Sequence, residues 1–157
     1  MILLSLPYPI SSNRYWASRV IKAKATGKWM AMTYVTPEAM EYRAEVARIA
    51  AEAGITAPLA GRYGLHLRLF PHRPLDWQTR MRKLGEVWDD TVQCIDLGNA
   101  EKVLGDALQG VLYANDKLCR RMYLERMEPD EHGARVIVAI EQLALPVIHA
   151  SLLEEAA

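Results

Sequence analysis

The segment from residue 63 to residue 70 limits the possible folds of this chain more than any other. Across Tyr63–Phe70, tyrosine and leucine alternate with smaller, polar or charged residues, apart from Phe70 at the end. An alternation of period two is typical of a β-strand with one covered face. Apolar residues recur at helical spacing on either side of it, in residues 36–54 and 97–110. We therefore predict an α+β fold in which two main helices pack against a small mixed sheet.

Turn residues and apolar runs place the remaining elements. Residues 1–6 are predicted to form a first strand, and Tyr15–Lys22 with Trp29–Val35 a ribbon around a basic tip. Residues 118–128 and 134–143 resemble the two arms of a hairpin. Residues 71–92 have no clear period and are predicted to be a basic insert or mobile loop within one domain of residues 1–144. Residues 145–157 are predicted to be a tail, with a helix after Pro146.

The helix starts are marked by specific residues. Thr36 is the predicted N-cap of the first main helix, Pro37 occupies its first position, and Gly54 closes it. Asp96 is the predicted N-cap of the second. These caps fix where each helix begins along the chain.

Composition excludes several classes of protein. The chain has 157 residues, of which 51% are apolar, enough for one buried core without disulfides. It shows neither a membrane-length apolar run nor a secretory signal, so a cytoplasmic protein is expected. Cys94 and Cys119 are then expected to be reduced. The four histidines form no spaced pair, which argues against a zinc site.

Charge is segregated along the chain although the net charge is zero. Residues 1–36 carry +5, residues 62–83 carry +5, and residues 84–116 carry −6. An enzyme that acts on a polyanion needs cations to bind the phosphates and carboxylates to bind a metal, and it would show this pattern. Ordinary surface charge would also give it. The four tryptophans fall in or beside the basic segments, where they could stack on unpaired bases or simply pack.

The acidic segment contains the residues best suited to chemistry. Asp96 precedes a helix, Asn99 and Lys102 follow within its first turns, and Asp116 comes after the helix. Asp96 could serve only as an N-cap, and Lys102 could simply pair with Asp106 four residues on. Local patterns do not show whether the chain folds back so that Asp116 lies close to Asp96.

Several short motifs occur in an order and spacing that resemble the RusA-type Holliday junction resolvases, a family of small phage-derived endonucleases. The resemblance runs from about residue 2 to residue 141. It is carried by Pro9–Tyr15, Thr36–Arg43, Asp96–Lys102, Asp106–Gly110 and Asn115-Asp116.

The resemblance implies an activity and a set of residues for it. The implied function is hydrolysis of phosphodiester bonds in four-way DNA junctions during recombination and repair, by a homodimer that uses Mg²⁺, or Mn²⁺ in its place, and no organic cofactor. Asp96 and Asp116 match the metal ligands, and Lys102 the catalytic lysine. Asn13, Arg14, Tyr15 and Asn99 match positions near the site or the DNA. We also expect DNA contacts from the cations of the insert, Arg73, Arg80, Arg82 and Lys83.

Gly98 departs from the family pattern, which has a carboxylate at this position. Glycine has no side chain to bind a metal, although Asp89, Asp90 or Glu101 could substitute. The change is either a natural variation or an inactivating one. The alternative function is accordingly a junction-binding protein with weakened or lost catalysis. A third option, an enzyme acting on small nucleotides, is disfavoured because there is no glycine-rich phosphate loop.

Overall fold

The structure is a computed structural model that describes residues 1–145, so most of the predicted tail lies outside the described residues. Within these residues, six strands and four α-helices follow one another. The strands are β1 (Ile2–Pro7), β2 (Trp16–Lys22), β3 (Trp29–Val35), β4 (Tyr63–Phe70), β5 (Cys119–Arg126) and β6 (Arg135–Gln142). The helices are α1 (Ser12–Tyr15), α2 (Pro37–Glu52), α3 (Trp77–Leu84) and α4 (Leu97–Leu108).

Four of the strands form a mixed sheet in the order β1-β6-β4-β5. Strand β4 lies inside it, antiparallel to β6 and parallel to β5. Alternate side chains of β1, β4 and β6 are buried: Leu4, Leu6, Leu65, Leu67, Leu69, Val136, Val138 and Ile140. Helices α2 and α4 contribute their own buried residues to the same core. The predicted α+β class, with a small mixed sheet and two main helices, is confirmed.

The two main helices begin where the sequence predicts. Thr36 caps α2 by accepting a hydrogen bond from the Ala39 N–H, and Asp96 caps α4 by accepting one from the Asn99 N–H. Beyond the end of α2, Gly54 has a φ of 82°, a left-handed conformation that glycine adopts readily. Within 1–145, no helix has the length and apolarity needed to cross a membrane.

The hairpin predicted from residues 118–128 and 134–143 is wrong. Both segments are strands, but β4 lies between them, so the link from β5 to β6 crosses over β4. The turn that follows β5 is held by Arg135, whose guanidinium donates two hydrogen bonds of 2.6 Å to the Asp130 carboxylate. These bonds lower the pKa of Asp130 to about 2. A turn between two strands has the same sequence pattern whether or not the strands pair.

Residues 71–92, for which the sequence predicts a basic insert or mobile loop, have regular helical structure over much of their length. The segment contains α3 and a 3-10 helix at Gly85–Thr91. Trp88 is buried and donates to Glu128 (2.8 Å), and Arg126 donates to the carbonyls of Asp89 and Val92. No residue of α3 is buried. Trp77, Met81 and Leu84 recur at helical spacing along α3, but the helix is only eight residues long and none of them is buried.

The ribbon of β2 and β3 is confirmed and forms a separate two-stranded sheet. The strands pair along their whole length, from Trp16 opposite Val35 to Lys22 opposite Trp29. The Thr36 N–H donates to the Tyr15 carbonyl (2.9 Å) and closes the base of the ribbon between α1 and α2.

Candidate active site

The N-terminus of α4 holds the first predicted carboxylate in a defined position. Asp96 has extended backbone angles, and its Oδ1 accepts the Asn99 backbone N–H at 2.8 Å. The Asn99 side-chain amide also donates to Asp96 Oδ2. Both carboxylate oxygens are thus oriented by Asn99, yet the residue remains exposed. Asp96 is both a helix cap and an accessible oxygen ligand, so its structural role does not exclude a functional one.

Helix α1 supports this arrangement from the other side. The Ser12 hydroxyl donates to Asn99 Oδ1 at 2.7 Å, so the Asn99 amide is held at both ends. Helix α1 also carries Arg14, whose Nε donates to the Glu38 carboxylate at the start of α2. Sequence reasoning missed Ser12, because a serine in a turn gives no signal of a partner elsewhere in the chain.

Tyr8 is a second residue that sequence reasoning missed. Its hydroxyl accepts the Ile95 N–H at 3.0 Å and lies 3.3 Å from the Cys94 sulfur. Burial and the neighbouring thiol raise the pKa of Tyr8. Tyr8 therefore fixes the segment that leads into Asp96. Its position between Pro7 and Pro9 was the only available signal.

A cleft of about 910 Å³ opens at these residues. Arg14, Arg80, Asp96 and Asn99 contribute polar groups to its lining, and Tyr8, Ile10, Val92 and Ile95 are among its apolar walls. Two guanidinium groups and one carboxylate therefore share one concave surface. Such a surface can bind a phosphate through its cations and a metal ion through its carboxylate.

The four predicted cations of the insert have different surroundings. Arg80 lines the cleft, held by Asp76 at 2.9 Å and by the Thr91 carbonyl at 3.0 Å. Arg82 and Lys83 are exposed at the end of α3. Arg73 lies over the Trp77 ring and 3.6 Å from Glu131. The insert thus supplies one cation to the cleft and two to the outer surface.

Tyr15 does not fit its predicted role in DNA contact. Its side chain is completely buried, and its hydroxyl donates to Asp106. Burial and the adjacent carboxylate raise the pKa of Tyr15, so the hydroxyl remains a donor. Asp106 lies 3.6 Å from Arg43, not in an ion pair with Lys102. Asn13, by contrast, is exposed on α1.

Asp116 and Lys102 do not line the cleft. Asp116 is exposed in the 3-10 turn Asp116–Leu118, and its charge adds to the effect of burial in raising the pKa of Tyr63 and Tyr113. Lys102 is exposed on α4. Across residues 1–145, no three His, Cys, Asp or Glu side chains are grouped so that they could hold a metal ion.

The donor set at Asp96 nevertheless fits one kind of ion. Mg²⁺ is commonly held by one or two carboxylates, with water and substrate phosphate completing its octahedron. Asp96 has exposed carboxylate oxygens beside a cleft that contains two arginines. The site therefore suits an ion shared between protein and phosphate, but not one enclosed by protein ligands.

Gly98 lies beside Asp96 in the first turn of α4 and does not have a positive φ. A Cβ at this position would contact only Asp96 Oδ1, at 3.5 Å. The backbone at this position thus has room for a Cβ. Neither conformation nor space requires the glycine.

Comparison with known proteins gives one result that covers most of the chain. The family model described as endodeoxyribonuclease RusA matches residues 7–141. The matched region runs from the end of β1 to the end of β6 and includes every residue of the cleft. A search of curated proteins found no match. The chain belongs to the RusA endodeoxyribonuclease family.

Proposed function

We propose that this protein is a metal-dependent endonuclease that resolves four-way DNA junctions. The RusA family consists of Holliday junction endonucleases that generally depend on a divalent metal. The observation that carries the proposal for this chain is the cleft in which Asp96 lies with Arg14 and Arg80. It combines a ligand for a hard cation with two cations for phosphate oxygens.

Mg²⁺ is the proposed ion, with Mn²⁺ as a substitute, and Asp96 and Asp116 are its proposed ligands. When bound, such an ion lowers the pKa of water and polarises a phosphoryl oxygen. Asp96 offers it carboxylate oxygens that Asn99 holds in place. Asp116 is proposed on the family pattern, since it lies outside the cleft lining.

The remaining residues act on the DNA. Arg14 and Arg80, which line the cleft, are proposed to bind phosphate oxygens, and Lys102 is proposed to stabilise the negative charge that develops at the scissile phosphate. Hydrolysis adds one water across one P–O bond, which leaves a phosphate end and a hydroxyl end. A homodimer is proposed because two related incisions are needed across a junction with two-fold character.

A single assay tests the function. A synthetic four-way junction incubated with the protein and Mg²⁺ or Mn²⁺ is expected to yield paired nicks near the branch point, while a linear duplex of the same sequence stays intact. A junction that is shifted in a native gel but never nicked with either metal would support the alternative, a junction-binding protein. Gly98 favours that alternative, because it removes one family carboxylate beside Asp96.

Helix α3 gives a second test, which addresses DNA binding. Arg82 and Lys83 are exposed, and neither forms an ion pair with a carboxylate of residues 1–145. Replacing both with alanine is expected to reduce the slope of log affinity against log salt by about 0.9 for each lost phosphate contact. The slope is measured by titrating a labelled junction without divalent metal at several salt concentrations.

Arg48→Ala is the matched control for this measurement. Arg48 is an exposed arginine on α2 that pairs with Glu45 and Glu52 and does not line the cleft. Its removal is expected to leave the slope unchanged. An unchanged slope in the Arg82/Lys83 variant as well would show that α3 does not contact DNA.

A further inference from the structure

The ribbon of residues 16–35 leaves apolar side chains uncovered on both of its faces. Trp29 is 71% exposed and Val20 67% exposed, with Met30, Met32 and Tyr34 also exposed. By strand alternation Val20 and Trp29 lie on one face, and the other three on the opposite face. A two-stranded hairpin is marginally stable by itself, and exposed apolar patches of this kind commonly mark binding surfaces.

The charge of the ribbon indicates what it binds. It carries Arg19, Lys22, Lys24 and Lys28, and no carboxylate occurs anywhere before Glu38. A two-fold contact between the ribbons of two copies would bring these like charges together, because an isologous interface joins identical patches. A polyanion with accessible apolar faces complements the ribbon in both respects.

Trp29 is at the tip, where both properties coincide. Its cross-strand partner is Lys22, and Lys28 precedes it in the chain. Its side chain is open to solvent, on the same face of the ribbon as that of Lys22. Aromatic rings next to cations stack on unpaired bases while the cations contact the adjoining phosphates. In a continuous duplex the base faces are covered by their neighbours, whereas a branch point interrupts the stack.

The base of the ribbon connects directly to the proposed active site. Strand β2 follows α1, which contributes Arg14 to the cleft and Ser12 to the Asn99 hydrogen bond. Seven paired residues at about 3.3 Å each extend the strands roughly 20 Å from that base. The tip of the ribbon thus lies up to roughly 20 Å from a base that adjoins the cleft.

We propose that the β2–β3 ribbon is a branch-point probe, in which Trp29 stacks on a base exposed at the centre of the junction while Lys22 and Lys28 hold the flanking phosphates. This inference rests on the proposed function and deepens it, since it assigns recognition of the branch to residues outside the cleft. The ribbon then determines which DNA structure is selected, and the cleft carries out the cut.

The test uses the full-length protein without divalent metal and a four-way junction with 2-aminopurine at the exchange point. The wild type is expected to change the fluorescence of this base, and Trp29→Ala to abolish that change and weaken junction binding about tenfold or more. Affinity for linear duplex is expected to stay within about twofold. Trp29→Phe is expected to keep most of the signal, because a phenyl ring still stacks.

Met40→Ala is the control, because Met40 is 62% exposed and lies on α2, outside the ribbon. A circular dichroism melt checks that Trp29→Ala remains folded. Wild-type affinity and fluorescence in Trp29→Ala would overturn the proposal. An equal loss of affinity for junction and duplex would also overturn it and would make the ribbon a general DNA-binding arm. A change from dimer to monomer in sedimentation would overturn it as well and would make the ribbon a contact between copies.

The same experiment separates this proposal from the proposed function. A wild-type protein that cuts junctions while Trp29→Ala binds them equally well overturns only the ribbon proposal. A wild-type protein that binds junction and duplex equally and cuts neither overturns both. Loss of branch preference in Trp29→Ala, with the wild type selective and active, supports both.

Discussion

Asp96→Asn is expected to reduce junction cleavage by at least about a hundredfold, the size of effect seen when one charge-stabilising group is removed from an active site. The substitution removes the negative charge needed to hold a divalent cation but keeps the shape of the side chain. Asparagine is as good an N-cap as aspartate, so the hydrogen bond to the Asn99 N–H and the start of α4 are expected to persist. Single-turnover cleavage of a labelled junction at saturating protein measures the loss.

Two further measurements show whether that loss is chemical. Junction affinity without metal is expected to stay the same or increase, since a negative charge facing phosphates is gone. Asp96→Ala is expected to lose as much cleavage and also about 1 kcal/mol of stability, because alanine cannot cap the helix. If Asp96→Asn cuts at the wild-type rate, Asp96 is only a helix cap and the proposed metal site is wrong.

Gly98→Asp is expected to increase cleavage and to lower the Mg²⁺ concentration that gives the half-maximal rate. Gly98 does not have a positive φ, and a Cβ there would meet only Asp96 Oδ1. The new carboxylate would therefore lie beside Asp96 without a backbone clash. Two adjacent carboxylates repel each other until a cation binds, so Mg²⁺ is expected to raise the melting temperature of Gly98→Asp more than that of the wild type.

Gly98→Ala is the matched control, because it adds a side chain without a ligand. It is expected to stabilise α4 slightly and to leave the Mg²⁺ dependence unchanged. Equal cleavage by Gly98→Asp and the wild type at every Mg²⁺ concentration would show that another carboxylate already fills the role. An inactive wild type that Gly98→Asp rescues would support the junction-binding alternative.

The residues at the start of α4 follow from local sequence, and the family assignment follows from the order and spacing of short motifs along the chain. Asp96, Asn99 and Lys102 lie within seven consecutive residues, and helix capping by Asp96 depends only on the backbone that follows it. The same is true of α2, which Thr36 and Pro37 start, and of β4, whose alternation shows which face is buried. Patterns of this kind are readable because the interacting groups are neighbours in the chain.

The arrangement of the candidate site was decided by contacts between distant residues. Ser12 and Asn99 are 87 residues apart, and Trp88 and Glu128 are 40 apart. These contacts join α1 to α4 and the insert to the segment that follows β5. Arg80 and Asp96 line the same cleft, while Asp116 remains outside its lining.

Sequence patterns alone predict most of the helices and strands and the residues that mark the family. Packing between distant elements places β4 between β5 and β6, buries Tyr15 against Asp106 and separates the ribbon from the main sheet. The difference lies in the range of the interactions. Caps and periodic burial act within one element, whereas strand order and a shared cleft depend on packing between elements that no local pattern specifies.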